Sequence, residues 1–207
     1  MRTLLPDLIR LVDDDPSVCA SLSFVLRIAG FDLVAYTSAE DFLNNVSELR
    51  PGCVILDVKM PGKSGLELFE EMREKGILLP VVFLTGHGDI EMAVQTLHDG
   101  AADFLVKPPE PEKLIAAVKK AVAVDKVRRA KKKERAKIEE LVGRLTPAET
   151  EVAKLLAKGL TVKTMAEVLE VSEQAVKTHR SAVYHKLDAI NPVEVADVIN
   201  EWLRGDA

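Results

Sequence analysis

Five polar residues stand at the ends of short apolar runs and have side chains suited to metal or phosphate chemistry: Asp13, Asp14, Asp57, Thr85 and Lys107. If the runs are parallel strands, these side chains meet at the carboxyl edge of one sheet, where open α/β sheets bind ligands. Clustered carboxylates repel one another unless a cation or a proton lies between them, so three acids indicate a divalent metal. A hydroxyl and an ammonium both suit phosphoryl oxygens. The set therefore predicts a metal-dependent phosphoryl site in which Asp57 attacks phosphorus.

The apolar runs alternate with helix signals. They are short and rich in β-branched, aliphatic or aromatic residues, as is typical of strands buried on both faces, and they cover residues 9–12, 33–36, 53–56, 81–84 and 104–106. Capping patterns that begin at Asp15, Ser38 and Ser64 predict helices between these strands. Five strand–helix repeats predict an α/β fold over residues 1–124, with a five-stranded, doubly wound parallel sheet.

A long basic segment follows. Residues 111–144 contain no proline after Pro111 and no glycine before Gly143, which predicts one long helix. Eight of the twelve residues from Lys126 to Lys137 are Lys or Arg, although such runs are also common on helix faces that only meet solvent. Because the apolar repeat is broken, we expect residues 125–143 to form a semi-rigid helical linker, and pairing as a coiled coil is a further hypothesis.

Residues 144–207 carry only helix signals, which predict a small all-α domain. Two short helices joined by a tight turn, the second with a polar face, are typical of a helix-turn-helix. At about 100° per residue, the second helix gathers polar residues on one face, namely Gln174, Lys177, Thr178, Ser181 and His185. Gln174, Lys177, Thr178 and Ser181 suit base edges and phosphates, and Arg180 and Lys186 flank the face for backbone contacts. We therefore expect double-stranded DNA as a partner.

The charge of this domain leaves an alternative open. Residues 145–207 contain 7 basic and 10 acidic residues, and the resulting net charge of −3 is unfavourable near phosphates. The basic linker can compensate for it. A small helical dimerisation module without DNA contact would keep the same apolar stripes, but it would not require basic residues around one small polar face.

Composition limits the class of protein. With 207 residues, 47% hydrophobic residues and a net charge of −5, the chain suits two globular units and is not disordered. The N-terminal residues are interrupted too soon for a secretory signal, and no apolar run approaches the ~20 residues of a membrane span. Cys19 and Cys53 lie in apolar stretches, as buried thiols do. We expect a cytoplasmic protein with no membrane partner.

The motifs of the first half resemble a known family. Residues 9–122 resemble the receiver domain of bacterial two-component response regulators of the FixJ/NarL type, which implies a flavodoxin-like fold. The similarity rests on Val-Asp-Asp-Asp-Pro, Leu-Asp-Val-Lys-Met-Pro-Gly-Lys-Ser-Gly, Leu-Thr-Gly-His-Gly-Asp and Val-Lys-Pro, in that order. It implies that Asp57 is the phosphoacceptor and that Mg²⁺ is the cofactor. Asp14 and Asp57 match direct metal ligands, Asp13 an acid that holds metal-bound water, and Lys59 a ligand through its backbone carbonyl.

The same resemblance implies a switch and a phosphate-binding group. Thr85 and Phe104 match a pair in which the hydroxyl turns toward the phosphoryl group and the aromatic ring fills the space it leaves. Lys107 matches the phosphate-binding lysine, and its bond to Pro108 matches a cis peptide. Pro109 stands where the family commonly has Phe, which puts the start of the next helix in question.

Residues 145–203 resemble the LuxR-type helix-turn-helix through Leu-Thr-Pro-Ala-Glu, Gly-Leu-Thr and Val-Ser-Glu-Gln-Ala-Val-Lys-Thr-His-Arg. Lys177, Thr178 and Ser181 match positions at which relatives contact DNA. Three positions depart from the family pattern and weaken the match: Val162 in place of Asn, Glu170 in place of a turn glycine and Ala175 in place of Thr.

Together the two resemblances imply a regulator and not an enzyme. We expect a sensor histidine kinase to phosphorylate it, a phosphorylated homodimer to bind DNA, and RNA polymerase to be a further partner. The implied dimer face consists of the fifth strand and the helix before it. A phospho-dependent adaptor without DNA binding stays open, as does a Mg²⁺-dependent phosphohydrolase, which would need a second acid where Lys59 stands. We expect His87, between two glycines, to be exposed or part of a dimer face and not an acid–base group.

Overall fold

The computed structural model describes residues 6–86 and 100–205 of the chain. Contacts divide the chain into two compact units, Met1–Arg129 and Ala130–Ala207. The expectations for His87 and for the helix before the fifth strand fall outside the described residues. Within the described ranges, no helix is long and apolar enough to cross a bilayer.

A five-stranded parallel sheet forms the centre of the first unit. Its strands are β1 (Leu8–Val12), β2 (Asp32–Tyr36), β3 (Gly52–Asp57), β4 (Val81–Thr85) and β5 (Asp103–Val106), in the order β2-β1-β3-β4-β5. Strands β3 and β4 are buried along their whole length, because helices cover both faces of the sheet. Val12 pairs with Leu56 and Thr85 pairs with Val106, so the carboxyl ends of these strands meet at one edge. The predicted α/β fold is confirmed.

Helices lie on both faces of this sheet and begin at capping side chains. They are α1 (Pro16–Ile28), α2 (Ala39–Asn45) and α3 (Gly65–Glu74), which follow the predicted caps Asp15, Ser38 and Ser64. One apolar cluster packs α1 and the last helix of the unit against one face, and a second packs α2 and α3 against the other. The sheet is therefore doubly wound.

The helix that begins in this unit and continues into the second, α4 (Pro111–Gly143), is one continuous helix of 33 residues, as predicted. It begins two residues after Pro109. Leu114 and its neighbours bury one face of the first turns against the sheet. Near the other end, Ile138 packs into the core of the second unit. Residues 130–137 are exposed, which explains the thin apolar pattern of the segment.

Four further helices complete the second unit: α5 (Pro147–Ala157), α6 (Val162–Leu169), α7 (Glu173–Lys186) and α8 (Pro192–Arg204). Their apolar stripes meet the end of α4 in one core. A tight turn joins α6 to α7, and Glu170 in this turn adopts a left-handed conformation, with φ 55° and ψ 39°. The pair α6 and α7 thus forms the predicted helix-turn-helix.

Candidate functional sites

Three carboxylates at the carboxyl edge of the sheet lie close enough to share a cation. Asp13 and Asp14 follow β1, Asp57 ends the neighbouring β3, and one oxygen of each lies within 4.8 Å of the others. Asp13 and Asp57 are buried, with 2% and 6% of their surface exposed, whereas Asp14 is exposed. A cluster of carboxylate oxygens that opens to solvent on one side suits a hard divalent cation that keeps some of its waters.

The ammonium of Lys107 lies between two of these carboxylates. Its Nζ is 2.5 Å from Oδ2 of Asp13 and 2.9 Å from Oδ2 of Asp57. Burial opposes the charged form of Lys107, but the two acceptors outweigh it and raise its pKa. Burial also raises the pKa of Asp57, although Lys107 opposes that shift. One ammonium neutralises only one of the two buried carboxylates, so the remaining negative charge favours a further cation.

The turn after β3 holds the backbone next to Asp57 in place. The N–H of Lys59 donates to Oδ1 of Asp57 at 3.4 Å, and the N–H of Gly65 donates to the carbonyl of Val58 at 3.0 Å. A Cβ at Gly65 would lie 2.0 Å from the carbonyl oxygen of Asp57, so only glycine permits this approach. The Asp57 side chain remains 9% exposed, at an edge that a ligand can reach.

The two residues of the predicted switch lie on adjacent strands. Thr85 ends β4, is 1% exposed and donates through Oγ1 to the carbonyl of Gly86 at 3.2 Å. Phe104 is half-buried on β5 and pairs with Phe83, two residues before Thr85. The Lys107–Pro108 bond is cis, as the resemblance implied. The residues predicted from strand ends are thus brought together at one edge of the sheet.

A second candidate site lies on α7. Seven of its residues surround an open depression of about 630 Å³, and they include five of the six residues predicted to contact DNA: Gln174, Lys177, Thr178, Ser181, Ala182, His185 and Lys186. Arg180 is half-buried and does not line the depression. The residues Val176 and Val183 are fully buried on the opposite side, which orients the polar face outward. An exposed helix face of this composition suits the major groove.

Lys186 has a partner that the sequence did not reveal. Its Nζ lies 2.7 Å from Oε2 of Glu149, which also accepts from the N–H of Thr146 in a capping box. Glu149 is 7% exposed, and the hydrogen bond from Lys186 is the largest cause of its lowered pKa. The capping pattern identified Glu149 only as a helix-start residue. Its role in neutralising Lys186 depends on packing between α5 and α7.

Two further residues were not among the predicted site residues. Helical spacing places His185 on the polar face of α7, although no contact was predicted for it, and it lines the depression there. Asp125 is completely buried at the other edge of the first unit. In the sequence it stands next to a basic run, and nothing in that pattern predicts burial.

Comparisons with known proteins match both halves of the chain to known families. Residues 9–119 match the family model of the response regulator receiver domain, and residues 144–199 match that of bacterial regulatory proteins of the luxR family. The transcriptional regulatory protein FixJ of Azorhizobium caulinodans is 36% identical over 187 residues, which cover 90% of this chain and 89% of FixJ. The tetrathionate response regulatory protein TtrR of Salmonella typhimurium is 38% identical over 181 residues, which cover 87% of this chain and 86% of TtrR.

Solved structures show the same similarity. The response regulator StyR matches with a TM-score of 0.88 and 34% identity, over 95% of this chain and 99% of StyR. Full-length FixJ from B. japonicum matches with a TM-score of 0.59 and 32% identity, over 96% of this chain and 98% of FixJ. The chain therefore belongs to the response regulators of two-component systems that combine a receiver domain with a LuxR-type helix-turn-helix DNA-binding domain.

Proposed function

We propose that Asp57 accepts a phosphoryl group from a sensor histidine kinase, and that the phosphorylated protein binds DNA as a homodimer and regulates transcription with RNA polymerase. In the transfer, an oxygen of Asp57 attacks phosphorus and the P–N bond of phosphohistidine breaks. The electron pair of that bond stays on the imidazole nitrogen. The product on Asp57 is an acyl phosphate.

The pairing of Asp57 with Lys107 is the observation that carries this proposal. Asp57 is a buried carboxylate with part of its surface open, and an ammonium lies 2.9 Å from its Oδ2. A phosphoryl group on Asp57 would offer new acceptors to the ammonium of Lys107. The proposal therefore assigns Lys107 to binding the phosphoryl oxygens.

The cofactor that fits the acidic cluster is Mg²⁺. Asp14 and Asp57 would hold it directly, Asp13 would hold one of its waters, and Lys59 would contribute its backbone carbonyl. The cluster suits this role because it offers only oxygen atoms and retains negative charge beyond what Lys107 neutralises. When bound, Mg²⁺ supplies positive charge that offsets the repulsion between Asp57 and the incoming phosphoryl group.

The response to phosphorylation is assigned to Thr85 and Phe104. Thr85 ends the strand next to Asp57, and its hydroxyl can donate to a phosphoryl oxygen. Phe104, on the following strand, would move into the space that the hydroxyl leaves. A shift in this pre-existing equilibrium would favour the dimer, and two α7 helices would then meet two half-sites on DNA.

DNA contact is assigned to the polar face of α7. Gln174 and Lys177 can reach base edges or phosphates, and Thr178 and Ser181 are short enough to allow close approach. Arg180 and Lys186 would contact the backbone from the flanks. The exposure of this face, opposite a completely buried Val176 and Val183, supports the assignment.

Phosphorylation of Asp57 can be tested by intact-mass spectrometry. Treatment with acetyl phosphate and MgCl₂ should add the mass of one phosphoryl group, and hydroxylamine should remove it, as it does from acyl phosphates. Asp57→Asn should abolish the gain. Asp103→Asn, which changes an acid at the start of β5, is the matched control and should keep it. Equal labelling of Asp57→Asn would refute the proposal.

Two other functions make different predictions. A phospho-dependent adaptor would keep the phosphorylation site but show no salt-dependent DNA binding, and the polar face of α7 argues against it. A phosphohydrolase would turn over small phosphate esters repeatedly. Multiple turnover of p-nitrophenyl phosphate would establish that activity, which we do not expect because Lys59 stands where the second acid would be needed.

A further inference from the structure

A buried carboxylate connects the strand that carries Asp57 to the helix that leaves the receiver domain. Asp125 lies on α4 and is 0% exposed. Its Oδ2 accepts from the N–H of Gly52 at 3.0 Å, and Gly52 is the first residue of β3. The last residue of β3 is Asp57. One end of the buried strand β3 therefore carries Asp57, and the other end contacts α4.

Two arginines one turn further along α4 complete the arrangement. Arg128 donates through Nη2 to Oδ1 of Asp125 at 2.5 Å, and Arg129 donates through Nε to Oδ2 at 2.5 Å. Burial opposes ionisation of Asp125, but the hydrogen bonds from Arg129, Arg128 and Gly52 outweigh it and lower its pKa. We call these four residues, Gly52, Asp125, Arg128 and Arg129, the Asp125 cluster.

The backbone at Gly52 leaves little freedom for the cluster to shift. A Cβ at this position would lie 1.8 Å from the carbonyl oxygen of Leu8 and 2.8 Å from its carbonyl carbon. Any side chain at position 52 would therefore separate β3 from β1. Asp125 consequently meets a β3 backbone that is tightly packed, and a movement of one must be accommodated by the other.

The extent of the first unit agrees with this arrangement. By its contacts the unit ends at Arg129, the last residue of the Asp125 cluster, and the exposed stretch of α4 begins at Ala130. The two arginines at the start of the basic run are thus engaged with Asp125. By contrast, Lys131, Lys132 and Lys133 are exposed.

We propose that Asp125 is a positioning residue that ties α4 to the first residue of β3, so that the response of DNA binding to phosphorylation depends on it. The inference rests on the proposed function of Asp57. It adds a connection that does not pass through Thr85 or Phe104. Asp125 does not touch the phosphoryl group, so its loss should leave the phosphorylation chemistry intact.

The test compares DNA affinity with and without beryllofluoride and Mg²⁺, for the full chain and a duplex selected by the wild-type protein from random sequences. For Asp125→Asn we expect the ratio of the two affinities to fall at least about fivefold, within the usual range of allosteric coupling factors. Its affinity for beryllofluoride without DNA should stay within about twofold of wild type, because β3 still ends in Asp57. Hydrogen exchange at the Gly52 amide should accelerate.

A matched control and a milder variant keep the outcome decisive. Lys120 lies on the same helix as Asp125, is exposed, and forms an ion pair at 3.3 Å with Asp103 of β5. Lys120→Gln removes this ion pair and should leave the ratio unchanged. Should Asp125→Asn not fold, Arg129→Lys decides the question, because it keeps the charge but loses the Nε donor. We expect the same direction of change with a smaller loss of ratio.

The outcomes separate this inference from the proposed function. If the Gly52 amide loses protection while the affinity ratio is unchanged, Asp125 is a structural residue only and the inference is wrong. A loss of thermal stability without a change in ratio leads to the same conclusion. If the wild-type protein itself shows no change in DNA affinity with beryllofluoride, the proposed function fails and the inference fails with it.

Discussion

The ammonium of Lys186 lies 2.7 Å from Oε2 of Glu149, so the last turn of α7 is tied to the first turn of α5. The Glu149 side chain is only 9% exposed, and its carboxylate also accepts from the N–H of Thr146. A residue that belongs to a helix cap therefore also orients the helix that carries the candidate DNA face.

Removing the charge of Glu149 should destabilise the second unit. We expect Glu149→Gln to lower the free energy of unfolding by about 1–3 kcal/mol, because charge-assisted hydrogen bonds to a buried group are lost. Trp202, the single tryptophan of the chain, lies on α8, so its fluorescence during urea unfolding reports on this unit.

The same variant should show a characteristic pH dependence. Because the hydrogen bond from Lys186 lowers the pKa of Glu149, the stabilisation is present above the unfolded pKa of about 4.5 and is lost as pH falls through the folded pKa. The difference in stability between wild type and Glu149→Gln should therefore shrink below pH 4.5. A constant difference from neutral to strongly acidic pH would contradict this assignment.

Lys107 should make the stability of the receiver domain less dependent on a divalent cation. In Lys107→Met, the carboxylates of Asp13 and Asp57 lose their shared cation, so without Mg²⁺ we expect a loss of about 3 kcal/mol of unfolding free energy. Mg²⁺ should restore much of this loss, and it should stabilise the variant more than wild type. Circular dichroism during urea unfolding measures the loss of stability in EDTA and its recovery in saturating MgCl₂. Equal Mg²⁺ responses would contradict the role of Lys107.

The left-handed turn residue Glu170 is strained, because its Cβ crowds the backbone at φ 55°. Glu170→Gly should therefore raise the free energy of unfolding by about 1 kcal/mol. The control Glu167→Gly lies inside α6, the helix that ends just before Glu170. It should lower the free energy of unfolding by about 1 kcal/mol, since glycine is a poor helix former. Trp202 fluorescence monitors both, and a destabilised Glu170→Gly would show that the side chain makes a contact that outweighs the strain.

Lys177 should contribute to DNA binding through its charge. We expect Lys177→Gln to lower affinity and to reduce the slope of log affinity against log salt by about 0.9, the contribution of one neutralised phosphate. Arg204→Gln is the control, because this exposed arginine ends α8 outside the α7 face. Fluorescence anisotropy at several salt concentrations measures the slope. The same slope in wild type and Lys177→Gln would remove Lys177 from the interface.

The sheet and its site residues could be predicted because strand ends are encoded locally. Asp57 and Thr85 follow uninterrupted apolar runs, and parallel pairing then requires their side chains to meet at one edge. The helix-turn-helix was predictable for a similar reason, since the caps at Thr146 and Ser172 and the apolar stripes are local patterns.

The buried charges could not be predicted, because their burial depends on residues distant in the chain. Arg10 is 0% exposed within β1, and its guanidinium donates to the carbonyl of Arg50, 40 positions away. Asp125 stands beside a basic run, which suggests that its side chain is exposed to solvent. It is buried instead, because it accepts from the N–H of Gly52, 73 positions away in the chain. Charged residues are usually exposed unless they are paired, so the burial of such residues can be explained only once their partners are known.

The proposed function predicts that phosphorylation of Asp57 controls DNA binding, and one comparison tests this most directly. DNA affinity and oligomeric state are measured for wild type and Asp57→Asn, each with and without beryllofluoride and MgCl₂. We expect beryllofluoride to increase dimer content and DNA affinity in wild type and to have no effect on Asp57→Asn. Unchanged affinity and oligomeric state in wild type, or an equal response in Asp57→Asn, would contradict the proposal.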